Sequence, residues 1–222
     1  MLVLVIGAGG QLSGELAQMS VTSEHEIVAV TKDQCDVTDV AAIRQVVGSR
    51  SWDAMINCAA YTLVDRAETE VAAAEALNAT APGVLAAVCH DAGVRMLHVS
   101  TDFVFDGTAT APIAEDAVPN PLSVYGRSKL DGENSVRAVS DDHLIVRTSW
   151  LYGQSGPNFV LTMLRLARER GALRVVADQH GSPTWTGHLA PALLRLLEHG
   201  ESGTFHLTNS GFTTWQGLAI RR

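Results

Sequence analysis

Short apolar runs alternate with longer amphipathic stretches along most of the chain. Leu2 to Ile6 is continuously apolar, and Glu26 to Val30, Asp53 to Asn57, Val94 to Val99 and His143 to Arg147 repeat the theme. Runs of this length are expected of parallel strands covered on both faces. Between them, helices are predicted over Glu15 to Met19, Val40 to Val47 and the alanine-rich stretch Ala67 to Ala92, where Pro82 marks a kink or restart. Val124 to Arg137, Asn158 to Arg170 and Gly187 to His199 also read as helices, with Val175-Val176 a short strand and Asp178 to Thr184 a polar loop. Five β-α alternations predict an α/β fold with a doubly wound parallel sheet. There is no internal repeat and no clear linker.

Composition narrows the setting. A chain of 222 residues, 46% hydrophobic and 18% charged, is long enough for one substantial core with a small lobe. Its formal net charge of -8 argues against nucleic acid or an anionic membrane as partner. Cys35, Cys58 and Cys89 are far apart, odd in number and in apolar settings, so they read as buried thiols of a reducing compartment. Leu2 to Ile6 is too short for a signal peptide and lacks a basic flank, and no transmembrane span is read. A cytoplasmic location is the expectation.

The first apolar run leads into Gly7-Ala8-Gly9-Gly10-Gln11-Leu12-Ser13-Gly14 and then a helix. Strand, glycine-rich turn and helix start form the context of a dinucleotide fingerprint, in which backbone N–H groups and the helix dipole meet a pyrophosphate. Ser13 stands where a third glycine is usual. Gly7, Gly10, Gln11 and Leu12 are the predicted contacts. The second strand ends at Thr31-Lys32, neutral then basic, which suits the 2′-phosphate of NADPH, with NADH as the other option. Asp36 and Val37 are placed to meet the adenine edge, and Ala59, Ala60 and Tyr61 let the cofactor pass close to the third strand's end. Asn78, a poor helix former within a helical stretch, is expected to bond to backbone. A dinucleotide-binding core over residues 1–147 and a mixed part, core and substrate lobe, over 148–222 follow from this layout.

Tyr125 and Lys129 are four residues apart on one predicted helix, hence on one face. A phenol titrates near ~10 in water, and a cation beside it lowers that value, so the pair is expected to exchange a proton near pH ~7. Thr101 falls at the carboxyl end of the fourth strand, where open α/β sheets meet their ligands. Hydroxyl, phenol and ammonium together would polarise and protonate a carbonyl.

With these pieces in place, the chain resembles the extended short-chain dehydrogenase/reductases, and among them the dTDP-4-dehydrorhamnose reductase family. The resemblance rests on Gly7 to Leu12, Asn57 to Thr62, Ser100 to Gly107, Tyr125 to Lys129, Arg147 to Trp150 and Asp178 to Thr184, in that order. It implies a Rossmann-like sheet with a small substrate lobe built from C-terminal insertions. The implied reaction is NADPH-dependent reduction of the C4 ketone of dTDP-4-dehydro-L-rhamnose to dTDP-L-rhamnose. Tyr125 would give the proton, Thr101 a hydrogen bond to the ketone, and Lys129 would orient the nicotinamide ribose. Asp102, Val104, Phe105, Trp150 and Asn158 would complete the contacts to the nucleotide sugar. Related dehydratases carry an Asp-Glu pair after this threonine; here Phe103 follows Asp102, which favours simple reduction. The resemblance stops at Thr213 to Gln216, while family members continue with elements that close the lobe, so an incomplete lobe is expected here. It allows a homodimer and implies no metal. Two other readings stay open: a non-catalytic dinucleotide-binding subunit like the regulatory subunit of methionine adenosyltransferase, and a reductase of another carbonyl.

Overall fold

A computed structural model describes residues 1–220. In chain order its elements are β1 (Leu2–Ile6), α1 (Gln11–Thr22), β2 (Glu26–Val30), α2 (Val40–Val47), β3 (Ala54–Asn57), α3 (Val64–Ala67), α4 (Val71–Glu75), a π-helical turn (Ala76–Thr80) and α5 (Ala81–Asp91). There follow β4 (Arg95–Thr101), a 3-10 turn (Asp102–Val104), α6 (Val124–Arg137), β5 (Leu144–Thr148), β6 (Leu151–Tyr152) and α7 (Phe159–Arg170). The chain continues through β7 (His180–Gly181), β8 (Thr184–Trp185), α8 (Thr186–Glu198), β9 (Gly203–His206), β10 (Thr213–Thr214) and α9 (Trp215–Ile220).

Six strands form one parallel sheet in the order β2-β1-β3-β4-β5-β9. Alternate residues of each strand serve opposite faces. Leu4, Ile6, Met55 and Ile145 pack with α2 and α5 on one side, while Val3, Val5, Leu97, Leu144 and Val146 pack with α1 and α8 on the other. This two-sided burial is why the strands read as unbroken apolar runs. The order reverses at β1, with β2 on one side and β3 on the other, and that switch point opens a crevice at the strands' carboxyl ends.

Several elements depart from the sequence expectation. The predicted helix from Ala67 to Ala92 is interrupted: α3 ends at Ala67, and the run from Val71 widens into a π turn at Ala76–Thr80 before Pro82 opens α5. Pro82 is well placed there, because the first helical residues need no N–H. Val71–Asp91 is also long and apolar enough to cross a membrane by length and composition, a property the sequence reading passed over. In this fold it is a core crossover helix, packed against α6, α2 and β4. No strand forms at Val175-Val176, and the loop from Asp178 contributes β7 and the first residue of β8. β9 was not predicted. It adds a sixth strand from the C-terminal part of the chain to the main sheet.

The smaller lobe gathers around aromatic rings. Trp150 and Trp215 stack with centroids 3.5 Å apart, and Phe159 lies 4.5 Å from Trp215. All three cysteines are free; Cys35 and Cys89 are buried and Cys58 partly so.

Candidate active site

Three carboxyl-terminal strand ends and two helix starts converge on the crevice. The turn after β1 is drawn toward β2 by the N–H groups of Gly7 and Ala8, both donating to the Val30 carbonyl. Gly7 has φ +93° and lies so close to the next loop that a Cβ there would come 2.8 Å from the Ala59 nitrogen. Ser13 explains how the turn survives without its third glycine. Its hydroxyl donates to the Gly7 carbonyl at 2.7 Å and accepts from the Gly10 N–H at 3.1 Å, stitching the turn to α1. The N–H groups of Gln11 and Leu12 open α1, where no intrahelical acceptor exists. Beside them the buried Oε1 of Gln11 has no hydrogen-bond partner among the described residues. A turn with nothing larger than the Ala8 methyl, helix-start donors and an orphaned oxygen fit a dinucleotide.

The remaining predicted cofactor contacts fall around this turn with mixed occupations. Thr31 bonds Gln34 through both its N–H and its hydroxyl, and the exposed Lys32 lies 3.8 Å from Asp36. Asp36 also accepts from Thr38, whereas Val37 is buried in the core beneath the sheet. Asn78 is fully buried in the π turn and holds Tyr61 by both backbone groups, accepting from its N–H at 2.8 Å and donating to its carbonyl at 3.1 Å. The same amide donates to the Ser128 hydroxyl on α6 at 3.1 Å. Asn78 thus ties the cofactor loop to the helix carrying Tyr125. Gly132 lets that helix approach, since a Cβ there would fall 2.0 Å from the Asn78 carbonyl oxygen.

α6 is launched by Ser123, whose hydroxyl accepts from the Gly126 N–H. One turn apart, Tyr125 packs edge-on against Phe103 at 5.4 Å and Lys129 turns inward, 2% exposed, donating to the Val99 carbonyl at 2.8 Å. Thr101, the last residue of β4, sits close enough to the phenol to pull its pKa down. Burial dominates, however, and pushes Tyr125 up to about 12. This corrects the expectation that Lys129 brings the phenol toward neutrality: burial instead lowers the lysine, to about 8. At neutral pH Tyr125 is a protonated phenol, the form a proton donor requires.

The predicted substrate residues divide. Thr101 donates to Asp102 Oδ1 at 3.1 Å, and burial pushes Asp102 up to about 6. Trp150 lies just past β5 with φ +48°, a strained conformation for an aromatic residue and one that clusters at functional sites. Val104 is fully buried, and Phe105 lies against the Arg147 guanidinium at 5.1 Å and His206 at 5.7 Å. Asn158 caps α7, accepting from the Leu161 N–H and donating to the Gly153 carbonyl. Its amide is occupied within its own loop.

Some residues near the site were given no individual role from sequence. Glu133, fully buried on α6, accepts from the Ser100 hydroxyl at 2.6 Å, from Arg147 at 2.9 and 2.7 Å, and from Arg137 at 2.8 Å. Burial raises its pKa, but Arg147, Ser100 and Arg137 outweigh that and hold the carboxyl below its ordinary range. Thr148, paired with Thr101 across the β4–β5 ladder, has a buried hydroxyl without a partner among the described residues. His98 lies on β4 against Lys129. A polar residue inside a short apolar run was the available signal for His98 and Arg147.

A doubly wound sheet with a glycine-rich turn at its switch point, and Thr101, Tyr125 and Lys129 beside it, defines a nucleotide-dependent reductase of the extended short-chain type. The RmlD substrate binding domain family matches residues 1–221. Over 217 residues the chain is 44% identical to dTDP-4-keto-6-deoxy-D-glucose reductase of Streptomyces niveus, covering 97% of this chain and 75% of that protein. It is 45% identical over 212 residues to dTDP-4-dehydrorhamnose reductase of Mycolicibacterium smegmatis, covering 94% of this chain and 64% of the relative. Among solved structures, dTDP-4-dehydrorhamnose reductase of Bacillus anthracis in complex with NADP superimposes with a TM-score of 0.95 at 38% identity, over 98% of this chain and 78% of that one. The chain belongs to the RmlD substrate binding domain family, with the dTDP-4-dehydrorhamnose reductases.

Proposed function

We propose that this protein reduces the C4 ketone of dTDP-4-dehydro-L-rhamnose to the alcohol of dTDP-L-rhamnose at the expense of NADPH. The observation that carries the reading is Thr101 against the protonated Tyr125 phenol, with buried Lys129 one turn along the same helix. Gly7, Gly10, Gln11 and Leu12 would hold the pyrophosphate, Lys32 the 2′-phosphate, and Lys129 the nicotinamide ribose. A reduced nicotinamide supplies hydride to the ketone carbon when bound. Tyr125 gives its phenolic proton to the ketone oxygen as negative charge develops there, and Thr101 orients and polarises that oxygen. Trp150, held between Trp215 and Gly181, walls the sugar side of the crevice. Phe103 brings no acid or base to the position after Asp102, in keeping with reduction rather than loss of water.

The curated relatives named above act on dTDP-linked 4-keto sugars by their names, which supports the same substrate class for this chain. The intact Thr101, Tyr125 and Lys129 favour chemistry over the regulatory-subunit reading. Optical measurement of NADPH oxidation with dTDP-4-dehydro-L-rhamnose tests the proposal. Turnover inhibited by free dTDP supports it; tight NADPH binding without turnover overturns it.

A further inference from the structure

The direction of hydrogen bonding can be followed from a backbone amide to the amine of Lys129. The Ala59 N–H donates to Asn57 Oδ1 at 3.0 Å, and a backbone N–H has no other role available. Asn57 therefore presents its Nδ2 to His98 Nδ1, 3.1 Å away, and must donate there. His98 Nδ1 is thus the accepting nitrogen and the ring proton sits on Nε2. That nitrogen faces Lys129 Nζ at 3.4 Å. Two proton-bearing nitrogens meet, and with His98 fully buried and Lys129 2% exposed, no solvent screens them.

We propose that His98, fixed by Asn57 in its Nε2–H form, is a positioning residue that turns a donor toward Lys129 and makes this amine release its proton more readily. A neutral amine accepts the His98 N–H through its lone pair while still donating to the Val99 carbonyl; an ammonium has no lone pair to offer. The other groups around the amine do not produce this effect. Glu133, on the same helix, favours the ammonium but is shared with Arg147 and Arg137. Cys58, from the loop after β3, is a neutral thiol pushed up to about 12 by burial, and Tyr125 is a neutral phenol. His98 itself stays uncharged, held well below the usual imidazole range by burial, then by Lys129 and Arg137. The lowering of Lys129 to about 8, with burial the leading cause, is in the direction this arrangement demands.

The inference deepens the reading of Lys129 as the lysine of the reductase site and rests on it, yet its test needs no turnover. Nitrogen NMR of the histidine-labelled full chain reports the tautomer, and carbon NMR of labelled lysine follows the titration of Lys129. The expected wild-type result is a bare Nδ1 and a protonated Nε2 on His98. In His98→Gln, whose side-chain oxygen can accept from an ammonium, the Lys129 midpoint moves up by about one pH unit. In Asn57→Asp the carboxylate accepts from Nδ1 and the ring is turned to Nδ1–H, which nitrogen NMR reads directly, giving a second variant should the first fail to fold. An Nδ1–H ring in the wild type, or a Lys129 midpoint unmoved in His98→Gln, overturns the inference. The expected NMR result in a protein without ketone reduction would fault the functional reading and leave His98's role standing.

Discussion

The hydroxyl of Thr101 donates to Asp102 Oδ1 at 3.1 Å while its oxygen accepts the Phe103 N–H at 3.2 Å. A hydroxyl has one proton, so Thr101 must turn from Asp102 to donate to a ketone. Burial raises Asp102 from 3.8 to about 6, so its protonated form stabilises the fold fully below the unfolded value and that contribution fades as pH rises through 6. Between pH ~4 and ~6 the wild type should lose roughly 1–2 kcal/mol through this partly exposed group, and Asp102→Asn should not. Urea unfolding at the two pH values checks this; parallel losses in both proteins contradict it.

Glu133 is the buried centre of an ion-pair network, and Glu133→Gln leaves Arg147 without its counter-charge. A loss of about 3–5 kcal/mol is expected. Because Glu133 is held below the ordinary carboxylate range, its contribution is present above that range and disappears as pH falls through the lowered value. Chemical unfolding should show the gap between wild type and variant narrowing in acid.

Gly132→Ala tests the contact between α6 and the π turn. Alanine in a helix interior is ordinarily favoured over glycine by about 1 kcal/mol. Here the added methyl meets the Asn78 carbonyl, so a loss of about 1–3 kcal/mol or more is expected. Asp131→Ala, exposed one residue earlier, should change stability by less than about 0.5 kcal/mol.

Asn78→Leu keeps the branching and heavy-atom count of the side chain but abandons the N–H and carbonyl of Tyr61. A cost of about 2–4 kcal/mol is expected. Since Tyr61 belongs to the loop beside Gly7, NADPH should also bind more weakly, as fluorescence titration would show.

The sheet was legible because β1, β2 and β3 are apolar runs with clear breaks, and α6 because Val124 to Arg137 reads as one helical stretch with Tyr125 and Lys129 on one face. β9 escaped because Gly203-Thr204-Phe205-His206 is short, polar in part and only half-buried at the sheet edge. The π turn escaped because one extra residue in a helical turn leaves no mark in an alanine-rich stretch. The chemistry was legible as residue types: Thr101 lies beside the Tyr125 phenol, and Lys129 follows one turn along the same helix. Their electrostatics were not, since the phenol's rise and the lysine's fall come from burial that the spacing of Tyr125 and Lys129 does not encode. The structural duties of Val37 and Asn158 were hidden for the same reason: only the packed chain shows one filling the core and the other capping a helix.

The most direct measurement is NADPH-dependent reduction of dTDP-4-dehydro-L-rhamnose by Tyr125→Phe beside the wild type, with NADPH affinity measured on both. The account predicts a loss of about 10²–10⁴-fold in kcat with cofactor binding retained. Turnover by the variant within a few-fold of wild type would contradict Tyr125 as the proton donor.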